Sequence, residues 1–461
     1  MSELVTISPI DGQVLVRRAH VDPSELQRMA GLARSAQQDW AHRPLSDRLA
    51  VLAAAVDLIV SRSEQLALDI TRQMGRPLTQ TPGEIKGFAE RARYMLSVAD
   101  QALADIQLPA QSPLDRWIER EPVGLVLTIA PWNYPLLTAV NSIVPALAAG
   151  NAVLLKHSDQ TPLCAEALVE GFQAAGLPKG LFQFVHADHA VIASLIESGR
   201  VDYVAFTGSV RGGAAIETAA AGRFIGRGLE LGGNDPAYVR ADADLAQAAD
   251  TLVDGAFYNA GQSCCGIQRI YVDRARYPEF LDRAVALTEQ YRLGNPLDPD
   301  TTLGPLVRTR AADEVRAMVA ESLRMGARDC IDARRFPAAG AGTPYLAPSI
   351  LSKVDHNMPI MNDECFGPVV GIMPVDSDEQ AVALMNDSPY GLTAAVFTQD
   401  IDRARQLGRQ VHTGTFFMNR CDYLDPALPW TGVKNTGHGI SLSTLGYQML
   451  TRVKSYHLRC L

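Results

Sequence analysis

Between residues 23 and about 105, apolar side chains recur at three- and four-residue spacing, as in DRLAVLAAAVDLIVSRSEQLALDI, the period of one helix face. The pattern then changes. DRWIEREPVGLVLTIA alternates at first and then runs continuously apolar, which predicts a hairpin arm leading into a buried strand. From Gly124 to about Leu231, strand and helix signals take turns: VLTIA, a helix after Pro135, AVLLK, a helix from Thr161, LFQFV, a helix near Ala190, VDYVAF, and a helix after Ser209. Such alternation predicts an open parallel sheet with helices on both faces. A second series, from RIYVD at 269–273 through PVVGIMPV to AAVFT near 398 with a long helical run between, predicts a second α/β unit. GYQMLTRVKSYHLRCL closes the chain as a strand-like tail.

No charged residue occurs from Val123 to Leu155, a length that would allow a membrane helix. Pro131, Pro135 and Pro145, with Asn133, Asn141, Gly150 and Asn151, break the run into strand, turn, helix, turn and strand. A buried β-α-β unit fits better, because parallel strands covered on both faces read as continuous apolar runs. No membrane span is expected.

At 461 residues and 47% hydrophobic content the chain exceeds what one core serves, so two or three domains are expected. Its seven cysteines are odd in number and scattered, which argues for free thiols in a reducing, cytoplasmic compartment. No C-x-x-C or Cys/His cluster suggests a metal. The net charge of -9, without a basic stripe, argues against nucleic acid as a partner. The N-terminal MSELVTISPIDGQ has an early Glu3 and no apolar core, so it does not read as a signal peptide.

Several short motifs carry chemistry. VDYVAFTGSVRGGAAI places Gly208, Ser209 and Gly213 where a strand turns into a helix, and such a turn exposes backbone N–H groups suited to phosphate; any tight connection carries glycine too. The first strand-helix turn carries no G-x-G-x-x-G. Lys156 and Asp159 follow the strand of NAVLLKHSDQTP, where they face a ligand crevice or form a solvated turn. Glu230 stands between leucines in GLELGGNDP, either desolvated as a general base or facing water at a sheet edge. Asn133 in APWNYP sits in a rigid turn, as an oxyanion donor or a backbone partner. NAGQSCCGIQR holds adjacent cysteines, Cys264 and Cys265. A buried pair of small hydrophobes is the plain alternative to a nucleophile.

The combination and order of PWNYP, GNAVLLKHSDQTP, FTGSVRGG, LELGGNDP, NAGQSCCGIQR, DECFGPVV, NDSPYGL and PWTGVKNTGHG resemble the aldehyde dehydrogenase superfamily over almost the whole chain. The resemblance implies an α/β fold with a Rossmann-type cofactor domain (1–101 and 122–231), an α/β catalytic domain (232–435) and a small β oligomerisation arm (102–121 and 436–461). It implies a homodimer or homotetramer built through that arm. It assigns the nucleophile to Cys264, whose thiolate attacks the aldehyde, with the oxyanion held by Asn133 and the Cys264 N–H. Hydride passes to NAD, and Glu230 activates water against the resulting thioester. Cys265 receives no chemical role.

For the cofactor the resemblance carries Lys156 and Asp159 to the adenosine ribose and Ser209, in its Gly208/Gly213 turn, to the pyrophosphate. Glu364 and Phe366 go to the nicotinamide ribose and ring region, and Trp132 is a further cofactor-binding residue. Asp159 stands where glutamate is common and His157 where proline is common. A carboxylate at the ribose favours NAD, and its shorter stem leaves room for NADP. Asn234-Asp235 replace a more usual Lys-Ser, and PWTG replaces Phe-Gly-Gly, so Trp430 projects toward the substrate tunnel. Tyr134, Leu137, Asn141, Tyr258 and Tyr423 complete an aromatic tunnel with hydrogen-bonding groups. Asp422 and Asp425 would favour an amino-aldehyde at the mouth, Arg420 would oppose it, and a solvated loop remains the alternative. A CoA-acylating relative has no need of Glu230, and a non-catalytic one would be expected to lose Cys264, Glu230 or Asn133. A cysteine hydrolase would want a histidine partner, whereas His186, His189, His412 and His438 read as loop or surface residues.

Overall fold

The computed structural model describes residues 2–459. Cys460, one of the expected free thiols and part of the expected arm, lies outside the described residues. Four helices, Pro23–Ala41, Leu45–Ser61, Ser63–Met74 and Thr81–Ser97, and the short Ala99–Leu103 fill the region read as helical. The uncharged run resolves as strand Leu125–Ala130, helix Pro135–Ala148 and strand Ala152–His157, and both strands are almost wholly buried. Among the described residues no helix is long and apolar enough to cross a membrane.

These strands stand inside a six-stranded sheet ordered Gly437–His438, Gly226–Glu230, Tyr203–Thr207, Leu125–Ala130, Ala152–His157, Phe182–Phe184. All its pairings are parallel except the first. The chain progresses outward in opposite directions from Leu125–Ala130, so the loops after Leu125–Ala130 and Tyr203–Thr207 diverge and open a crevice at their carboxyl ends. Open α/β sheets bind ligands at such a switch point. A second, seven-stranded sheet has Asp235–Val239 between Ile267–Asp273 and Thr393–Phe397. The chain passes from one sheet to the other at residues 231–234, which places the two sheets' functional ends against each other.

The third sheet joins Thr451–Arg459, Leu114–Pro122 and Ile106–Gln107 in antiparallel register, and Trp117 stacks on Tyr456 with ring centroids 4.3 Å apart. The tail differs from the expected arm. Gly437–His438 pairs with Glu230 and Leu229, extending the six-stranded sheet, and only Thr451–Arg459 pairs with Leu114–Pro122. Glycine permits this return: Gly437 has φ 102°, and a Cβ there would lie 2.1 Å from the Leu229 carbonyl oxygen.

His186 lies in a loop, one of the two expected places, yet it is buried, with Nε2 3.0 Å from Glu166 Oε1. Position in a loop does not set exposure when helices cover the sheet face. His157, in place of a proline, bridges the Pro135 carbonyl and Thr161 Oγ1, each at 3.0 Å. Burial lowers its pKa to about 4, so the ring fastens the loop as a neutral group.

Candidate active site

Helix Leu245–Phe257 gives way to three successive left-handed residues, Asn259 (φ 54°), Ala260 (φ 54°) and Gly261 (φ 71°). Side chains in that region cost energy and persist where the surroundings fix them. Here Gly261 approaches Gly367 so closely that a Cβ would lie 2.1 Å from its carbonyl oxygen. Gln262 Nε2 donates to Asn259 O at 3.1 Å, and Gln262 Oε1 accepts from the Val307 N–H at 2.8 Å. The turn delivers Cys264, the one residue from Asn259 to Val272 that is not buried. Cys265 turns away: it is 3% exposed and its Sγ donates to Asp422 Oδ1 at 3.0 Å. Contact with Cys264 and burial push the Cys265 thiol up, so it is held protonated.

Asn133 follows strand Leu125–Ala130 and is buried, with Nδ2 donating to Gln262 O at 3.1 Å. That bond uses one of its two N–H groups. An ion pair invisible in the sequence pattern fastens the Asn133 and Asn259 turns together. Arg76 Nη1 donates to Glu84 Oε2 at 2.7 Å, Nε donates to Asn259 Oδ1 at 3.1 Å, and Nη2 donates to the Asn133 carbonyl. Glu84 Oε1 accepts from the Leu136 and Leu137 N–H groups, both at 2.9 Å. Both side chains are sealed from solvent, at 1% and 0% exposure. Removing one member of such a pair strands the other charge. The Arg76→Leu variant is expected to lose about 3–5 kcal/mol of stability, read as a lower urea midpoint at unchanged slope.

Glu230 ends strand Gly226–Glu230 half-buried, and desolvation raises its pKa. Two hydroxyls oppose that shift: Ser441 Oγ donates to Oε1 at 2.6 Å and Thr207 Oγ1 to Oε2 at 3.1 Å. Ser441 arrives there because the tail returns at Gly437 to the six-stranded sheet.

Two cavities meet at these groups, and Cys264, Glu230, Thr138 and Thr207 line both. The smaller, about 330 Å³, takes Trp132, Asn133, Gly208, Ser209, Glu364 and Phe366 from the sequence expectation. Trp132 and Phe366 meet edge to face at 5.7 Å. Glu364 Oε1 accepts from the Gly233 N–H at 3.1 Å, and burial raises its pKa to about 7. Ser209 caps helix Val210–Ala219 through the Gly212 N–H. The Val210 and Arg211 N–H groups have no acceptor among the described residues, the usual state of a helix start that awaits an anion.

Lys156, Asp159 and Gly213 do not line this cavity. Lys156 Nζ instead donates to Asp159 Oδ1 at 2.8 Å, with the ammonium buried and the carboxylate half-exposed. A Cβ on Gly213 would lie 2.8 Å from Leu231, so this glycine serves helix-sheet packing.

The larger cavity, about 710 Å³, is lined by Tyr134, Leu137, Asn141, Tyr258, Tyr423 and Trp430, all expected, and by Asp422. Asp425 and Arg420 do not line it, although Arg420 packs over the Tyr423 ring at 3.5 Å. The Asn234-Asp235 departure is structural. Asn234 Nδ2 donates to Asp363 O at 2.8 Å, and Asp235 Oδ2 accepts from Thr393 Oγ1 at 2.6 Å. Arg76, Glu84, Ser441 and Arg91 of this site escaped the sequence reading. Each acts through a partner far along the chain, and Ser441 lies two residues beyond the PWTGVKNTGHG motif.

The sequence profile of the Aldehyde dehydrogenase family matches residues 2–456. Succinate semialdehyde dehydrogenase (NAD(P)+) Sad of Escherichia coli strain K12 is 33% identical, over 98% of this chain and 97% of that protein. Betaine aldehyde dehydrogenase 2 of Rhizobium meliloti strain 1021 is 31% identical, over 98% of this chain and 93% of its own. Among solved structures, succinic semialdehyde dehydrogenase from Streptococcus pyogenes in complex with NADP+ superimposes with TM-score 0.94 at 29% identity, over 99% of this chain and 100% of that one. With a fold shared end to end and relatives that use NAD(P), the chain belongs to the aldehyde dehydrogenase family of oxidoreductases.

Proposed function

We propose that the protein oxidises an aldehyde to its carboxylic acid with NAD(P), through a covalent intermediate on Cys264 and without CoA. The observation that carries this reading is the junction of the two cavities at Cys264 and Glu230, which gives one site two separate approaches. The Cys264 thiolate adds to the carbonyl carbon, and the oxygen gathers negative charge. The second N–H of Asn133 Nδ2 and the Cys264 backbone N–H, which has no acceptor among the described residues, donate to that oxygen. When bound, the nicotinamide accepts the hydride that leaves the former carbonyl carbon, and a thioester to Cys264 remains. Glu230 takes a proton from water as the water oxygen bonds to the acyl carbon. The C–S bond then breaks, returning the thiolate and releasing the acid.

The smaller cavity suits the cofactor by its donor set: aromatic walls from Trp132 and Phe366, an acceptor in Glu364 for ribose hydroxyls, and free N–H groups at Ser209 for phosphate oxygens. Lys156 and Asp159 would meet the adenosine ribose at the crevice rim. Asp159 there disfavours a 2′-phosphate, and its neutralisation by Lys156 softens that preference, so NAD is preferred and NADP is accepted. The three-stranded sheet, with its stacked Trp117 and Tyr456, is the surface through which we expect subunits to pair.

NADH formation by the purified protein with an aldehyde panel, with and without CoA, tests the reading. Turnover without CoA is expected, and turnover that requires CoA would refute it. A finer test addresses the base. Removing the Ser441 hydroxyl deletes a bond that lowers the Glu230 pKa, so the base loses its proton only at higher pH. The Ser441→Ala variant is expected to move the acid limb of the rate profile upward by about one pH unit, the size of one hydrogen bond to a charged group.

A further inference from the structure

The wall of the larger cavity carries a cation that has no direct ion-pair partner among the described residues. Arg91 projects from helix Thr81–Ser97 and is nine-tenths buried. Its Nη1 donates to the Leu137 carbonyl at 2.8 Å and to Asn141 Oδ1 at 3.2 Å, both neutral acceptors. A close helix contact sets this geometry: a Cβ on Gly87 would lie 2.7 Å from Leu137 Cδ2, so helices Thr81–Ser97 and Pro135–Ala148 touch there and carry Arg91 against the Leu137–Asn141 turn. The contrast with Arg76 is direct, since Arg76 has Glu84 as its ion-pair partner. Among the described residues Arg91 has no carboxylate within ion-pair distance. Its Nε and Nη2 have no acceptor, yet neither is among the polar atoms sealed from space. The free side of the guanidinium is therefore the Nε/Nη2 edge, whose two parallel N–H groups match the two oxygens of a carboxylate.

The other charged groups facing the cavity do not take this role. Glu84 is committed to Arg76 and two backbone N–H groups. Asp422 receives Ser263 Oγ at 2.9 Å and Cys265 Sγ at 3.0 Å on one oxygen, so it is engaged with its own loop, and as an acceptor it does not hold an anion. Glu230 is held by Ser441 and Thr207. Lys86, Glu90, Asp250 and Asp254 are exposed at the rim, where water and salt screen them.

We propose that Arg91 anchors a distal carboxylate, so that the substrates are short oxo acids with an aldehyde at one end and a carboxylate at the other. This rests on the aldehyde-oxidising reading of Cys264. The names of the relatives do not decide the distal group, because succinate semialdehyde ends in an anion and betaine aldehyde in a cation. An unpaired guanidinium attracts the first and repels the second.

The test compares 4-oxobutanoate, butanal and 4-aminobutanal as substrates of the intact enzyme, and separately measures succinate binding by calorimetry. The wild type is expected to favour 4-oxobutanoate over butanal by about 10- to 100-fold in kcat/KM, and Arg91→Gln to erase that margin by lowering 4-oxobutanoate kcat/KM far more than that of butanal. Arg91→Lys should recover part of it, because it keeps the charge and loses the fork. Succinate binding should weaken in Arg91→Gln by a similar factor. Equal use of 4-oxobutanoate and butanal by the wild type, or a parallel fall of both in Arg91→Gln, overturns the proposal. Preference for 4-aminobutanal overturns it in favour of Asp422. If no aldehyde is oxidised but succinate binding still depends on Arg91, the anchor stands and the oxidation reading falls.

Discussion

The Cys264→Ala protein is expected to fold, to bind NAD, and to form NADH at least about 10⁴-fold more slowly than the wild type, because the other thiols that line the cavity, Cys265 and Cys421, are buried and pushed up, so neither supplies a ready thiolate. The adjacent Cys265→Ser variant is the control. Its side chain is buried against Asp422, and a hydroxyl can replace the thiol as donor there, so turnover should stay near the wild-type rate. Titration calorimetry with NAD separates a lost nucleophile from a lost fold. Unchanged turnover in Cys264→Ala would refute the nucleophile assignment, and loss confined to Cys265→Ser would move it one residue along.

Glu230→Gln should stop the reaction at a different point. The amide keeps the shape and still accepts a hydrogen bond from Ser441 or Thr207, but it cannot take a proton from water. Acylation then outruns hydrolysis. Steady turnover should fall by about 10²- to 10⁴-fold, the usual weight of a general base. Intact-mass measurement after mixing with aldehyde and NAD should show the protein heavier by one acyl group, and tryptic mapping should place the group on Cys264. A slow variant that stays at its native mass would mean that Glu230 acts before the thioester forms, and the hydrolytic base would have to be sought elsewhere.

The two sheets were legible in sequence because buried parallel strands read as short apolar runs between helical repeats. VLTIA, AVLLK and RIYVD each became the expected strand. Asp235–Val239 was harder to see, since DPAYV follows a glycine pair and offers no period. In the site, Cys264, Glu230 and Asn133 stay ambiguous motif by motif, and it is the combination and order of the motifs along the chain that single them out. Arg76 and Glu84 belong to none of these motifs. They sit on ordinary helical sequence and matter only through Asn133 and Asn259, which lie 57 and 183 residues beyond Arg76. For Lys156 and Asp159 the strand end leaves a ligand crevice and a solvated turn both open and only the family resemblance points to the ribose; in the structure the two are engaged with each other. The tail was misread at Gly437–His438 because a two-residue strand carries no periodicity, and only the positive φ of Gly437 marks the return.

That return ties the chemistry to the order in which the chain is made. Residues 133, 230 and 264 leave the ribosome long before Ser441 does, so a nascent chain holds nucleophile, amide and base while one hydroxyl of the base's cradle is still unsynthesised. Until residues 437–441 return beside strand Gly226–Glu230, the Glu230 carboxylate lacks one of the two hydroxyls that oppose its desolvation. Under the proposed mechanism, synthesis of residues 437–441 is then what completes the hydroxyl cradle of the base.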